Sequence, residues 1–171
     1  MIAPQAWIAV LRIVVGAWFL KAVWTKLGVE FLWGVVPYPA VSERFLAFHP
    51  KRVAEFAAGN PVVWYKDFLE GVVVPHSRVF ATLQTYAEAA VGLGLVLGLL
   101  TGLAALVGLF LSLNYGLATQ WMSFGQQGFH VLLTTAMVIC LGARAGHAWG
   151  IDGWILAGRG GRRQRWLRLL I

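Results

Sequence analysis

Charge is scarce in this chain. Asp, Glu, Lys and Arg make up 12% of it, where water-soluble domains carry about 25%. Acids are the scarcer sign, seven against fourteen Lys and Arg. So thin a charged surface excludes an ordinary soluble domain. One compact integral membrane domain fits instead, with 59% of the residues hydrophobic. Such a domain is specified by packing and polar contacts, because lipid is as apolar as Leu. The net charge of +7 suits a lipid surface and does not indicate nucleic acid, since much of the excess sits in one terminal tail. Cysteine is nearly absent. A single Cys140 excludes an intrachain disulfide, a CxxC redox pair and a cysteine zinc site. Basic residues are missing before the first apolar run, from Met1 to Ala6. That run therefore reads as a retained span and not as a signal peptide.

What is present is long apolar sequence. About 20 apolar residues cross a bilayer as a helix, and four segments qualify. They are Trp7 to about Gly28, Val79 to Leu100, Leu103 to Met122, and about Phe124 to Ala143, the last with a polar start at Gly125 to Gly128. The expected fold is all-α: an integral membrane four-helix bundle over residues 1–158. A long helical extracytoplasmic loop joins spans one and two (29–78), and a basic amphipathic tail follows (159–171). Gly94, Gly98 and Gly102 recur every fourth residue, which predicts a close helix contact.

Orientation follows the positive-inside rule. Arg159, Arg162, Arg163, Arg165 and Arg168 have no acid among them, whereas the long loop mixes both signs. Both termini are therefore expected to be cytoplasmic, with the loop outside. The tail interleaves those arginines with Trp166, Leu167, Leu169, Leu170 and Ile171, the pattern of a short helix lying on lipid. In the outer loop, Pro50 can open a helix ending near Gly59, Asn60-Pro61 can cap a second, and Ser77 can cap span two. The loop aromatics suit the membrane interface.

Against this background Glu88 stands out. It is the only charged residue between Val79 and Leu100, and a carboxylate at such depth costs several kcal/mol unless it is paired or hydrated. Depth at about 1.5 Å per residue sorts the polar residues into two layers. The outer layer holds Lys26, Gln84, Thr85, Glu88, Asn114 and His130; the inner holds Arg12, Arg144 and Asp152. The outer layer is the candidate binding site and the inner one a structural ion-pair cluster. Depth pairs Glu88 with Lys21, and helix face favours Arg12 or Lys26, so the partner stays open among these and water. Lys21 also reads as a lysine snorkelling to headgroups. Asn114 reads equally as interhelical glue or a ligand contact, and a lone His130 reads more readily as a hydrogen-bonded packing residue than as a haem or metal ligand.

Several of these residues together resemble the DoxX/DoxD family. Span one carries Arg12, Gly16, Phe19 and Lys26; span two carries Glu88, Gly92, Leu95 and Leu97-Gly98-Leu99. Span four closes on Gly146, then Trp149-Gly150-Ile151-Asp152. Val74-Pro75-His76 and Asn114-Tyr115 look more like the DoxD branch, the small membrane subunit of thiosulfate:quinone oxidoreductase. Thr101-Gly102 departs from the Thr-Arg common there. The resemblance implies a membrane subunit of a quinone-linked oxidoreductase in a bacterial or archaeal plasma membrane. Its partners would be the lipid bilayer and other membrane or membrane-associated subunits. No metal, haem or flavin motif is visible, so a quinone is the implied cofactor. Glu88 would relay protons; Lys26, Asn114 or His130 would donate to a quinone carbonyl. The competing expectation is a non-catalytic structural subunit, whose outer polar layer is closed by protein groups alone. A small transporter is a weaker third, because the sequence carries no internal repeat.

Overall fold

The computed structural model describes residues 3–158. Four helices among them are long and apolar enough to cross a membrane. These are α1 (Pro4–Trp24), α4 (Ser77–Leu97), α5 (Thr101–Thr119) and α6 (Phe124–Gly142). The first opens on Pro4, where the missing N–H would be unsatisfied anyway. Its neighbours are α4 and α6, and α5 contacts the same two, so the four close into a ring. Phe19, Val91, Leu95, Ala105, Met137 and Cys140 fill the middle of it. The basic tail expected on the lipid surface lies outside the described residues.

The first span is shorter than expected. It stops at Trp24, and the chain enters an antiparallel hairpin, β1 (Leu27–Leu32) and β2 (Val36–Val41). The all-α expectation fails here. The β-branched Val29, Val35, Val36 and Val41 favour extended backbone, and Gly34 takes a φ of +75° in the turn.

Two helices follow, α2 (Glu43–Ala58) and α3 (Val63–Phe68), and a π-helical turn over Leu69–Val73. Pro50 does not open α2. Ser42 does, its Oγ accepting from Phe45 N–H, and Pro50 sits inside the helix. The end near Gly59 and the role of Asn60 hold: Asn60 Oδ1 accepts from Val62 N–H at 3.0 Å, ahead of α3. Val53, Ala57, Tyr65, Leu69, Val73 and Ala118 form a second apolar cluster under these helices. Ser77 does not cap α4. It is the first residue of that helix, and its hydroxyl meets His49 instead.

Between α4 and α5 the turn is Gly98 to Leu100, not Thr101-Gly102. Gly98 ends α4 in the left-handed region, with φ +64°. A Cβ there would strike the Arg12 guanidinium, so Gly98 serves the turn; the close helix contact of this spacing is at Gly94, where a Cβ would come within 2.8 Å of the Ala104 Cβ on α5. A second tight approach lies at Gly16 and Gly92. A Cβ on Gly16 would come within 2.9 Å of the Val96 nitrogen, and one on Gly92 within 2.7 Å of Leu20.

Candidate functional site

Lys26 lies in the short turn after α1, which points its ammonium back across the mouth of the helices. There it pairs with Glu88 of α4. The Glu88 side chain is 3% exposed and that of Lys26 13%. Of the open partners for Glu88, Lys26 is the one engaged. Lys21 instead lies over the Trp18 ring, 4.8 Å from its centroid, and Arg12 lies elsewhere.

The other Glu88 oxygen accepts from the Tyr115 hydroxyl of α5, and from Gln84 Nε2 at 3.3 Å. Gln84 precedes Glu88 by one helical turn, which brings the two side chains together. Both carboxylate oxygens are therefore held. A buried charge needs this: attraction to one cation rarely offsets desolvation unless further hydrogen bonds satisfy the remaining lone pairs.

Around this group stand residues the sequence reading missed. The Phe45 ring of α2 packs 5.4 Å from the Lys26 ammonium and 5.7 Å from the His49 ring. His49 is buried, with Nδ1 2.6 Å from the Ser77 hydroxyl. Burial lowers its pKa; the Gln84 side chain opposes that and the Lys26 charge adds to it. Tyr115 was visible beside Asn114 but carried no weight. Its only signal was an aromatic hydroxyl at the depth of a buried acid.

The remaining outer-layer residues do not converge on Glu88. Thr85 is fully buried and donates back to Ala81 O within its own helix. Asn114 donates to Phe110 O and takes the Tyr65 hydroxyl on its backbone oxygen at 3.0 Å, tying α3 to α5. Burial pushes the Tyr65 hydroxyl up to about 12, so it stays a donor throughout the physiological range. His130 lies one residue beyond the Phe129 ring, at 5.2 Å, with its own ring 6.4 Å from Tyr115. Its Nε2 is 2.8 Å from Thr119 Oγ1, and Thr119 spends its proton on Tyr115 O. The imidazole therefore donates through Nε2. Nδ1 is left buried and without a partner.

The inner layer is not an ion-pair cluster. Arg12 is fully buried and donates to Trp149 O at 3.2 Å and Ala148 O at 3.4 Å, while Nε and Nη1 meet no partner. Asp152 accepts from the backbone N–H groups of Leu100 and Thr101, each at 2.8 Å. It caps α5, where a negative charge complements the helix dipole. Arg144 is exposed, with a φ of +49°, in the turn after α6. No salt bridge joins these three among the described residues.

Two cavities lie away from Glu88. One, of about 270 Å³, sits at the end of the bundle that carries the start of α1, between Gln5, Ile8, Arg144 and His147. The other, of about 370 Å³, is a groove between the end of α1 and the start of α6, lined by Trp18, Ser123, Gly125, Gln126 and Phe129. Among the described residues no group of three His, Cys, Asp or Glu side chains could hold a metal ion.

A family model described as TQO small subunit DoxD matches residues 7–170, nearly the whole chain, and the chain belongs to that family. With its four apolar helices it is a multi-pass membrane protein. No curated protein and no solved structure matches it.

Proposed function

We propose, taking membership of the DoxD family as the premise, that this chain is the membrane subunit of a quinone-linked oxidoreductase of the thiosulfate:quinone type. Both termini face the cytoplasm of a bacterial or archaeal cell, as the basic tail favours. The observation that carries the reading is Glu88: a buried acid held by Lys26, Tyr115 and Gln84 in the outer half of the helices.

The open groove by Trp18 and Phe129 would take a flat aromatic head group against its wall. The two rings pack on each other at 5.5 Å, and Gln126 supplies an amide at the edge. Directly behind Phe129 is His130, with its unpartnered Nδ1. A bound quinone would supply an acceptor of two electrons and two protons. Trp18 and Phe129 would hold its ring. Neutral His130 can take a proton on Nδ1 and, once protonated, hand it on. Tyr115 stands between the His130 ring and Glu88, and its hydroxyl donates to the carboxylate. Lys26 and Glu88 then form the proton store at the outer end of that route.

Replacing Glu88 with Gln keeps the shape and removes the ionisable group. Quinone reduction by membranes carrying the whole complex should fall about 10²-fold, the usual scale for loss of a positioned acid or base. Full turnover in the variant would dismiss the proton role.

A second reading, the non-catalytic structural subunit, draws on a specific observation. Glu88 is closed by protein groups, and neither cavity reaches it. On that reading Glu88→Gln lowers the amount of assembled complex while the turnover per complex stays constant.

A further inference from the structure

The hairpin is anchored only at its base, where Ala40 and Val41 are buried, and the rest of it packs little on any helix. It is also unusually apolar for so exposed a feature. Val29 is 67% exposed, Phe31 60%, Trp33 88% and Val35 77%. A lone two-stranded hairpin is at best marginally stable in water, so such a surface is normally covered.

The two edges differ. The Ser42 N–H donates to the Lys26 carbonyl at 2.9 Å, beside a register that pairs Leu27 with Val41. In an antiparallel ladder hydrogen-bonded pairs alternate with open ones. Gly28, Glu30 and Leu32 therefore face β2, and the backbone groups of Val29 and Phe31 point away from it. Opposite these two stand Pro39 and Pro37. Proline has no N–H, and at these positions it removes only outward-facing donors, which shuts the β2 edge to further pairing. The β1 edge carries no such guard. Outside the hairpin ladder no hydrogen-bond partner meets the Val29 or Phe31 N–H among the described residues, while the Phe31 carbonyl accepts from the Gly34 N–H of the turn at 3.4 Å.

We propose that the open edge of β1 takes an extended strand from a partner subunit, seated against Val29, Phe31 and Trp33. The inference rests on reading this chain as a subunit of a larger complex. Strand addition suits what is present: backbone groups supply affinity and alternate apolar side chains supply specificity. Lipid does not suit it. Unpaired strand edges cost several kcal/mol per group in hydrocarbon, and residues 27–41 hold no Lys or Arg to draw anionic headgroups. A second copy of the chain pairing through β1 is the competing occupant.

The test is the double variant Val29→Pro, Phe31→Pro, which blunts β1 as Pro37 and Pro39 blunt β2 and leaves the ladder between them. Gently solubilised membranes of the native host are run on native gels, with the mass and composition of the band determined. The wild-type chain should migrate in an assembly with a different protein. In the variant the assembled fraction should fall on the order of tenfold. A variant that stays assembled overturns the docking edge and leaves the subunit reading standing. A wild-type chain that migrates alone removes both. An assembly containing only copies of this chain overturns the inference in favour of self-pairing. If the variant fails to fold, amide hydrogen exchange on the wild type decides. Val29 and Phe31 should be protected in the assembly and exchange fast in the separated chain; fast exchange in both states overturns the proposal.

Discussion

At the scale of single residues, the electrostatics around the mouth of the helices turn on one ion pair. Glu88 tolerates burial because Lys26 neutralises it and Tyr115 and Gln84 fill its other oxygen. Removing one partner of a buried pair leaves the other uncompensated, at about 3–5 kcal/mol. Lys26→Met should therefore lower thermal stability in detergent by that order. Adding Glu88→Gln to it should restore most of the loss, since the stranded charge goes with it. Equal stability of the single and double variants would mean that Glu88 is solvated by something other than Lys26. The sequence marked Glu88 and both lysines but could not choose between them. Residue spacing gives height along a helix, whereas the choice depends on Trp24 ending α1 and the turn carrying Lys26 inward. Asn114 and Thr85 were placed at the right height and still miss the site, because hydrogen bonds to Phe110 and Ala81 turn them into their own helices.

At the scale of elements, two contacts bind the helices together, and each has its own signature. Gly16 and Gly92 let α1 and α4 approach until backbone meets backbone. Gly16→Ala forces a methyl against the Val96 nitrogen, which a backbone atom cannot easily avoid, and should cost about 1–3 kcal/mol. Gly128→Ala in α6 meets nothing within 4 Å and should be neutral or stabilising by up to about 1 kcal/mol. Thermal melts of the two variants compare them directly; a neutral Gly16→Ala would put the helices farther apart than described. The second contact is Asp152, whose carboxylate joins the start of α7 (Ile151–Gly158) to that of α5. Asp152→Ala strands two N–H groups at a buried helix end and should cost about 1–3 kcal/mol. The spans themselves were legible because hydrophobic length is a property of sequence alone. The hairpin was not. Pro37 and Pro39 argue against a strand unless its neighbour's register is known, and that register is set by the exit of α1. The Gly94-Gly98-Gly102 spacing pointed to a close helix contact that Gly94 makes with Ala104, but Gly98 serves a turn, which spacing cannot distinguish from a packing face.

At the scale of the whole molecule, the loop helices rest on the membrane helices through an apolar cluster, the Tyr65–Asn114 bond and a buried imidazole. His49 of α2 touches the Ser77 hydroxyl at the head of α4, beside Gln84 and the Lys26 ammonium. Its pKa lies below the ordinary 6.5, chiefly because burial disfavours the charged ring. The neutral form is thus the folded form. Its contribution to stability is complete above about pH 6.5 and declines as pH falls toward the depressed folded value, because the unfolded chain takes up the proton first. A protonated ring would also be repelled by the Lys26 charge. Acidification should therefore loosen α2 from α4 before it disturbs the membrane helices, which meet through Gly16, Gly92 and an apolar core. Amide exchange over Glu43–Ala58, corrected for the intrinsic effect of pH, should accelerate between pH 7.5 and 5.5 while exchange in α5 stays constant. His49→Gln keeps a hydrogen-bonding side chain that does not titrate, and should flatten that dependence. The same slope in variant and wild type would assign the loosening to another group, with the exposed pair of Arg78 and Glu43 the next contact between these two helices to examine.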